Sequence, residues 1–266
     1  MGRRAGLTEV VARTSAELAF RLRNALPWSP PVRRPTVGSW PGWERQTSAR
    51  DPQAQHRAAD LRARHDLERW ISLLAAIEVD ENLYVLDVLE RTLPAVLPPG
   101  RGLDVGSNNG AVLPALVTAA GRPFDLVELD AHRRYVDLST RRAHGERMVA
   151  AYPGSRYIAG SVTGVSTRFA VVTWFLPFVH EAPLRAWGLP DRFFAPELLL
   201  RHVCERVLPG GVLLIVNQGE SERDTQRALF GRVGVIPDEL DRITSPLSPF
   251  VRPRFGFRWR RPPLTR

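Results

Sequence analysis

The chain contains no lysine. All 37 of its basic residues are arginine, a bias that genomic base composition explains more simply than selection for phosphate-gripping forks. It has one cysteine, Cys204, in 266 residues, which excludes an intrachain disulfide framework and a zinc cluster. Cys204 falls within an apolar helical pattern and reads as a buried, inert thiol. No run of about 18 apolar residues occurs, so no membrane-spanning helix is expected. The chain opens on Arg3 and Arg4, but Glu9, Arg13 and Glu17 interrupt any apolar core of a secretory signal. A cytoplasmic protein is the expectation that follows.

Charge is unevenly spread. The formal net charge is +9, yet residues 1–50 hold nine arginines against three acids and residues 251–266 hold six arginines and no acid. The stretch between them is slightly acidic. A nucleic-acid enzyme more usually sets its basic groups beside its active site, so this distribution argues against a nucleic-acid substrate. A content of 44% hydrophobic and 24% charged residues suits a globular chain long enough to bury a large core. Seven tryptophans suggest aromatic-rich packing or an aromatic-lined pocket.

The two halves differ in texture. Residues 7–26 place Leu7, Val11, Leu18, Leu22 and Leu26 at helical spacing, predicting an amphipathic helix that docks on its own domain. Residues 27–41 hold Pro27, Pro30, Pro31, Pro35 and Pro41, a density that blocks helix and sheet and predicts an extended linker or strap. Residues 52–78 read as one helix with Leu61, Leu67, Trp70, Ile71, Leu74 and Ile77 on a broad face, and a second helix runs from about 82 to 93. From residue 101 short apolar runs alternate with helical patterns. Strands are predicted at 101–105, 124–129, 156–159, 169–175 and 211–216, and helices at 111–120, 131–150, 195–207 and 221–233. Such alternation predicts a parallel sheet covered on both faces. Ser221 and Asp224 resemble a capping box. Phe255, Phe257 and Trp259 alternate with Gly256, Arg258 and Arg260, predicting a last strand with one buried face. The expected division is a helical N-terminal cap, residues 1–98, and an α/β domain, residues 99–266.

The stretch Gly102-Leu103-Asp104-Val105-Gly106-Ser107-Asn108-Asn109-Gly110 is the strongest local signal. An apolar strand ending in a Gly-rich turn and a helix start lets a nucleotide-like ligand approach the backbone. Asp130 follows Gly110 by twenty residues, at the expected end of the second strand, where a carboxylate accepts ribose hydroxyls; a helix cap is the alternative for Asp130, and Glu128 is the second candidate acid.

In these residues the chain resembles the class I S-adenosylmethionine-dependent methyltransferases. Gly102 to Gly110 looks like that family's glycine-rich motif and Val127 to Asp130 like its acidic second motif. Tyr157 to Val162 sits where the third strand precedes an adenine-contacting residue. Phe169 to Pro177 matches the fourth strand, and Val207-Leu208-Pro209-Gly210-Gly211 is similar to the turn before the fifth. The resemblance implies a Rossmann-like, doubly wound, seven-stranded, mostly parallel sheet with an antiparallel last strand. It also implies S-adenosyl-L-methionine as cofactor, held by Asp104, Gly106, Ser107, Asn108, Gly110, Glu128, Asp130, Ser161, Val162 and Thr173, and no metal. Asn108 stands where the family has its middle glycine; asparagine tolerates left-handed backbone best among the others. Ser161 and Ala170 stand where acids are common, and Pro114 comes early in the following helix.

Residues 173–181 should face the transferred methyl. They are aromatic and apolar and lack the Asn/Asp-Pro-Pro-Tyr/Phe signature used to grip a planar amine, which counts against nucleobase modification. Trp174 and Phe175, with Phe178 and Trp187, suit an apolar metabolite. His180 is the candidate base, with a polar helix start as the alternative. Asn217, Gln218 and Glu220 follow the fifth strand at the ligand-binding edge, as substrate contacts or as a turn and helix entry. Tyr84 and Trp70 are lid candidates or ordinary core. The expected acceptor is a small or medium organic molecule offering O, N or C. An RNA or protein acceptor clamped by the basic ends, and a catalytically silent cofactor-binding module, are the alternatives.

Overall fold

The structure is a computed structural model that describes residues 2–46 and 51–263, with side chains from Arg13 onward. Among the described residues five helices precede the first strand: α1 (Gly2–Ala25), α2 (Trp40–Gln46), α3 (Pro52–Arg64), α4 (Glu68–Leu73) and α5 (Ala76–Thr92). Strands and helices then alternate: β1 (Gly102–Val105), α6 (Leu113–Ala120), β2 (Phe124–Glu128), α7 (Arg141–Ala151), β3 (Arg156–Ala159) and β4 (Phe169–Phe175). The rest is α8 (Glu181–Ala186), α9 (Pro196–Arg206), β5 (Val207–Gln218), α10 (Gly219–Val233), β6 (Asp238–Ile243) and β7 (Arg254–Arg260).

The strands form one sheet in the order β3-β2-β1-β4-β5-β7-β6. β1 pairs in parallel with β2 and β4, β2 with β3 and β4 with β5, while β7 runs antiparallel between β5 and β6. This is the seven-stranded, Rossmann-like α/β fold with the antiparallel last strand that the resemblance implies. The order reverses between β1 and β4, and doubly wound sheets bind ligands outside the strand ends at that reversal. The central strands are buried on both faces, which is why they read as unbroken apolar runs such as Phe169 to Trp174.

One apolar core joins Trp40, Trp43, Leu61, Trp70 and Leu83 of the N-terminal helices to Leu113 and Leu116 of α6 and to Val171, Leu214 and Val216 of the sheet. A second core lies on the other face, where α9 and α10 cover Leu103, Val172 and Ile215. Asn82 of α5 ties the first core together: its amide donates to Glu78 O and Ala111 O, both at 2.8 Å, and its oxygen accepts from Ala115 N at 3.0 Å. The start of α6 is thereby pinned to α5. Pro114 sits in the first turn of α6, where the missing donor costs little.

Several expectations need correction. The single helix over 52–78 is broken at His65 and Leu74, whose extended backbones end α3 and α4. Leu61, Leu67, Trp70 and Leu74 are buried as expected, but Ile77 is exposed. The helix predicted over 131–150 starts only at Arg141, capped by Thr140 Oγ1 accepting from Ala143 N; residues 131–140 are held instead by a bridge between Arg134 and Thr140. Leu18 and Leu22 of α1, and Leu26 just beyond it, face solvent and Phe20 is the buried anchor, because the helix docks through one ring rather than a leucine stripe. Leu7 and Val11 lie outside the described side chains. Glu222, not Asp224, caps α10, accepting from Gln218 N at 2.8 Å, because the helix begins two residues earlier than Ser221. The strand β6, with the polar sequence Asp-Glu-Leu-Asp-Arg-Ile, was invisible to an apolar pattern because it is an edge strand.

Replacing Asn82 by Ala leaves Ala111 O and Ala115 N without their partner. We expect a loss of about 1–3 kcal/mol in urea unfolding; a change within about 0.5 kcal/mol would contradict the pinning role.

Candidate active site

The turn after β1 is built from three left-handed residues, Gly106 (φ 72°), Asn108 (φ 52°) and Gly110 (φ 73°). Asn108 therefore occupies the conformation expected of it. Backbone amides of Gly106 and Ser107 donate to Val127 O at 2.9 and 3.1 Å, so the turn hangs on the end of β2. Asn108 N donates to Glu128 Oε2 at 2.8 Å, and Tyr157 Oη donates to Asn108 O at 2.6 Å. Gly110 is required by contact as well as by φ: a Cβ there would come within 2.9 Å of Leu126 Cδ1 and 3.4 Å of Gly145 Cα. Gly106 and Gly160 differ. A Cβ at either would meet no protein atom within 4 Å, because both border open space.

That space is a cavity of about 690 Å³ across the strand ends, within the roughly 300–1,000 Å³ range of small-molecule sites. Its floor is Asp104, Gly106, Ser107 and Asn108 from β1 and its turn. Glu128 borders it at the end of β2, and Gly160, Ser161 and Val162 after β3. Trp174 and Phe175 from β4 and Phe178 and Trp187 beyond it form an aromatic wall, with Phe178 and Trp187 edge to face at 6.2 Å. Gln218 of β5 lies at the far end.

The segment from Leu176 to Phe193, which roofs this wall, is held by α1. Phe20 packs on Phe193 at 4.9 Å between ring centroids and joins Leu184 and Leu189 in a small core. Arg23 donates to Gly188 O at 3.4 Å, Arg13 pairs with Asp191 at 2.9 Å, and Arg192 with Glu17 at 3.0 Å. The proline-rich stretch then crosses Arg134, which donates to Leu26 O and Trp28 O, and reaches α5, where Arg34 pairs with Glu78. It is a strap running from roof to helix.

Asp104 is fully enclosed. It accepts from Thr173 Oγ1 at 2.6 Å, and burial pushes its carboxyl up to about 7, against the lowering effect of the Thr173 and Ser107 hydrogen bonds. Glu128 is also raised by burial, opposed by Arg141 and by the amides of Asp130 and Asn108. Its Oε1 accepts from Asp130 N at 2.9 Å and from Arg141 Nη1 at 3.1 Å. Ser161 Oγ accepts from Thr163 N at 3.3 Å, capping a short turn.

Several sequence candidates lie away from the cavity lining, among them Gly110, which packs on Leu126 and Gly145, and Glu220 and Trp70. Asp130 is buried under Arg23 Nε at 3.1 Å and Arg133 Nε at 2.8 Å, so its carboxylate anchors α1 rather than facing the ligand space. Thr173 is fully buried and acts on Asp104. His180 turns to α10, with Nε2 at 3.2 Å from Ser221 Oγ. Asn217 points to the opposite sheet face from Val216 and Gln218, as strand alternation requires. Its side-chain atoms are buried and lack partners. Sequence reading missed Glu81, Arg141, Glu222, Arg252 and Arg254, all of which line the cavity. Tyr84 also lines it, with its hydroxyl buried and unpartnered. Only the β5–β7 register, which pairs Gln218 with Arg254, brings the chain's C-terminal arginines to this edge. Cys204 is buried, with its thiol pushed up to about 12 by burial, and is inert as expected. Among the described residues no cluster suited to a metal ion occurs and no helix is long and apolar enough to cross a membrane.

No protein-family model and no curated protein matches the chain. Solved structures similar in fold include a SAM-dependent methyltransferase of the DUF858 family from Leishmania major: 14% identity, 67% of this chain and 73% of that one, TM-score 0.48. Another is the glycopeptide N-methyltransferase MtfA complexed with S-adenosyl-L-methionine: 12% identity, 67% and 94% covered, TM-score 0.47. A third is the magnesium protoporphyrin IX methyltransferase of Synechocystis PCC 6803: 12% identity, 69% and 80% covered, TM-score 0.44.

Asp104 gives a pH test. Its folded value lies above the ordinary 3.8, so the native state holds the proton more tightly. The stabilising contribution is full below 3.8 and is lost as pH rises to about 7. Asp104→Asn should therefore remove a decline in stability across that window, read by denaturant titration; parallel pH profiles for the two proteins would refute the shift.

Proposed function

We propose that this chain is a methyltransferase that uses S-adenosyl-L-methionine and acts on a small or medium organic acceptor. The observation that carries the reading is a single cavity in which the left-handed turn after β1, the carboxylate of Glu128 and an aromatic wall meet at the sheet's reversal point. The residues fit the cofactor. Gly106 and Gly160 leave room for a ligand against the backbone, and Asn108 Oδ1 is buried there without a partner. A carboxylate has roughly four acceptor sites; Glu128 uses three within the protein, on Asn108 N, Asp130 N and Arg141 Nη1. The remaining site is available to a ribose hydroxyl. Ser161 and Val162 would border the adenine, and Asp104 would lie at the cationic end.

The bound cofactor supplies an activated sulfonium methyl for in-line displacement. The chain's contribution is mainly positioning, which accounts for much of the rate of such transfers. Trp174, Phe175, Phe178 and Trp187 exclude water and orient an acceptor. The roof clamped by α1 and the strap closes the site, in keeping with residues 1–98 acting as a cap.

Enclosure supports a small acceptor over RNA or protein. So does the use made of the basic ends: Arg23, Arg34 and Arg258 are spent on Asp130, Glu78 and Asp238, and Arg261 donates to Glu205 O and Val207 O. These four are thereby engaged within the protein rather than free to grip a phosphate backbone.

Calorimetric titration with S-adenosylhomocysteine tests the assignment. Wild-type protein should bind, and Glu128→Gln, checked for a cooperative melt, should bind about tenfold or more weakly. Asp130→Asn should lose less. Loss confined to the Asp130 variant would return the ribose contact to Asp130, and no binding by folded wild-type protein would refute the methyltransferase reading.

A further inference from the structure

The end of the cavity farthest from Glu128 is polar in an unusual way. Arg254, the first residue of β7, lines it and is only 5% exposed. Its guanidinium donates to Gln218 Oε1 and lies 4.2 Å from the Phe250 ring centroid. Yet among the described residues it forms no ion pair. An unpaired buried cation is costly, and native structures usually supply a counter-ion. Tyr84 lines the same cavity with its Oη buried and without a hydrogen-bond partner, and it meets Phe250 edge to face at 5.3 Å. Arg252 borders the same end and forms no hydrogen bond or ion pair among the described residues.

We propose that the methyl acceptor carries a carboxylate, held by Arg254 with help from Tyr84 and Arg252, on a flat apolar body that lies against Phe250 and Phe175. This names the substrate class of the site described above and rests on the methyltransferase reading. The geometry of an arginine fork suits a carboxylate, which accepts two parallel N–H bonds. Tyr84 adds one neutral donor.

The two nearby acids do not fill the role of counter-ion. Glu222 is turned to its helix cap at Gln218 N. Glu81 lines the cavity, but burial and Glu78 raise its carboxyl, which weakens its negative charge, while Arg254 opposes that shift. Neither makes an ion pair with Arg254.

The cofactor's own carboxylate is the rival ligand. The sheet order argues against it: β4 and β5 separate β7 from β1, which puts Arg254 three strand spacings, about 14 Å, from the glycine turn.

The test is calorimetry of 2-naphthoate and of 2-naphthamide on the full chain saturated with S-adenosylhomocysteine. Wild-type protein should bind the acid about tenfold or more tightly than the amide. Arg254→Gln should erase that preference and leave S-adenosylhomocysteine affinity unchanged. Tyr84→Phe, which keeps the ring, should weaken the acid several-fold and serves if the arginine variant does not fold. Equal binding of acid and amide by wild-type protein, or binding of neither, overturns the proposal. So does weakened S-adenosylhomocysteine binding in Arg254→Gln, which would assign the guanidinium to the cofactor. Absence of S-adenosylhomocysteine binding in wild-type protein would instead sink the methyltransferase reading beneath it.

Discussion

The hydrogen bond from Asn108 N to Glu128 Oε2 is the contact on which the site depends. It joins the turn after β1 to the end of β2, and it forms only because residues 106, 108 and 110 all adopt left-handed backbone. With that turn closed, α6 starts where Asn82 can pin it, and the cavity floor becomes a rigid strip of backbone. The same turn leaves Glu128 partly free toward the ligand space. Two glycines and one asparagine thus set the positions of a helix, a carboxylate and a binding surface together.

Around that strip the molecule places groups of opposite character. Asp104 and Glu128 are buried carboxylates at one end, each held by hydrogen bonds that oppose the cost of burial. Arg254 is a buried guanidinium at the other end. The aromatic wall between them carries no charge. A cationic cofactor and an anionic acceptor would therefore be drawn to opposite ends of one enclosure, and the methyl would pass across its apolar middle. The N-terminal helix takes part without lining the cavity: Phe20 and Arg23 hold the roof, and the strap returns the chain to α5.

The sheet was largely legible in the sequence because its central strands are buried on both faces and read as apolar runs. The glycine turn was legible for the same reason that it works, since few residues other than Gly and Asn tolerate its backbone. The failures have physical causes too. Asp130 has the spacing of a ribose ligand, but it lies beyond the end of β2, where Arg23 and Arg133 cover its carboxylate, while Glu128 borders the cavity. His180 carried suitable chemistry, but within the roof its ring turns to Ser221 of α10. Arg254 could not be found locally, because it reaches the site through antiparallel pairing with a strand 36 residues earlier. Leu18, Leu22 and Leu26 show that periodicity identifies a helix more securely than the face it buries.

Hydrogen–deuterium exchange with and without S-adenosylhomocysteine tests the central claim most directly, because it reports where the ligand sits without needing the acceptor. The account predicts slowed exchange in the segments around 104–111, 126–130 and 160–163, and in the roof from 176 to 193, with α9 and β6 unchanged. Slowed exchange confined to other segments, or none in protein that binds the ligand, would contradict it.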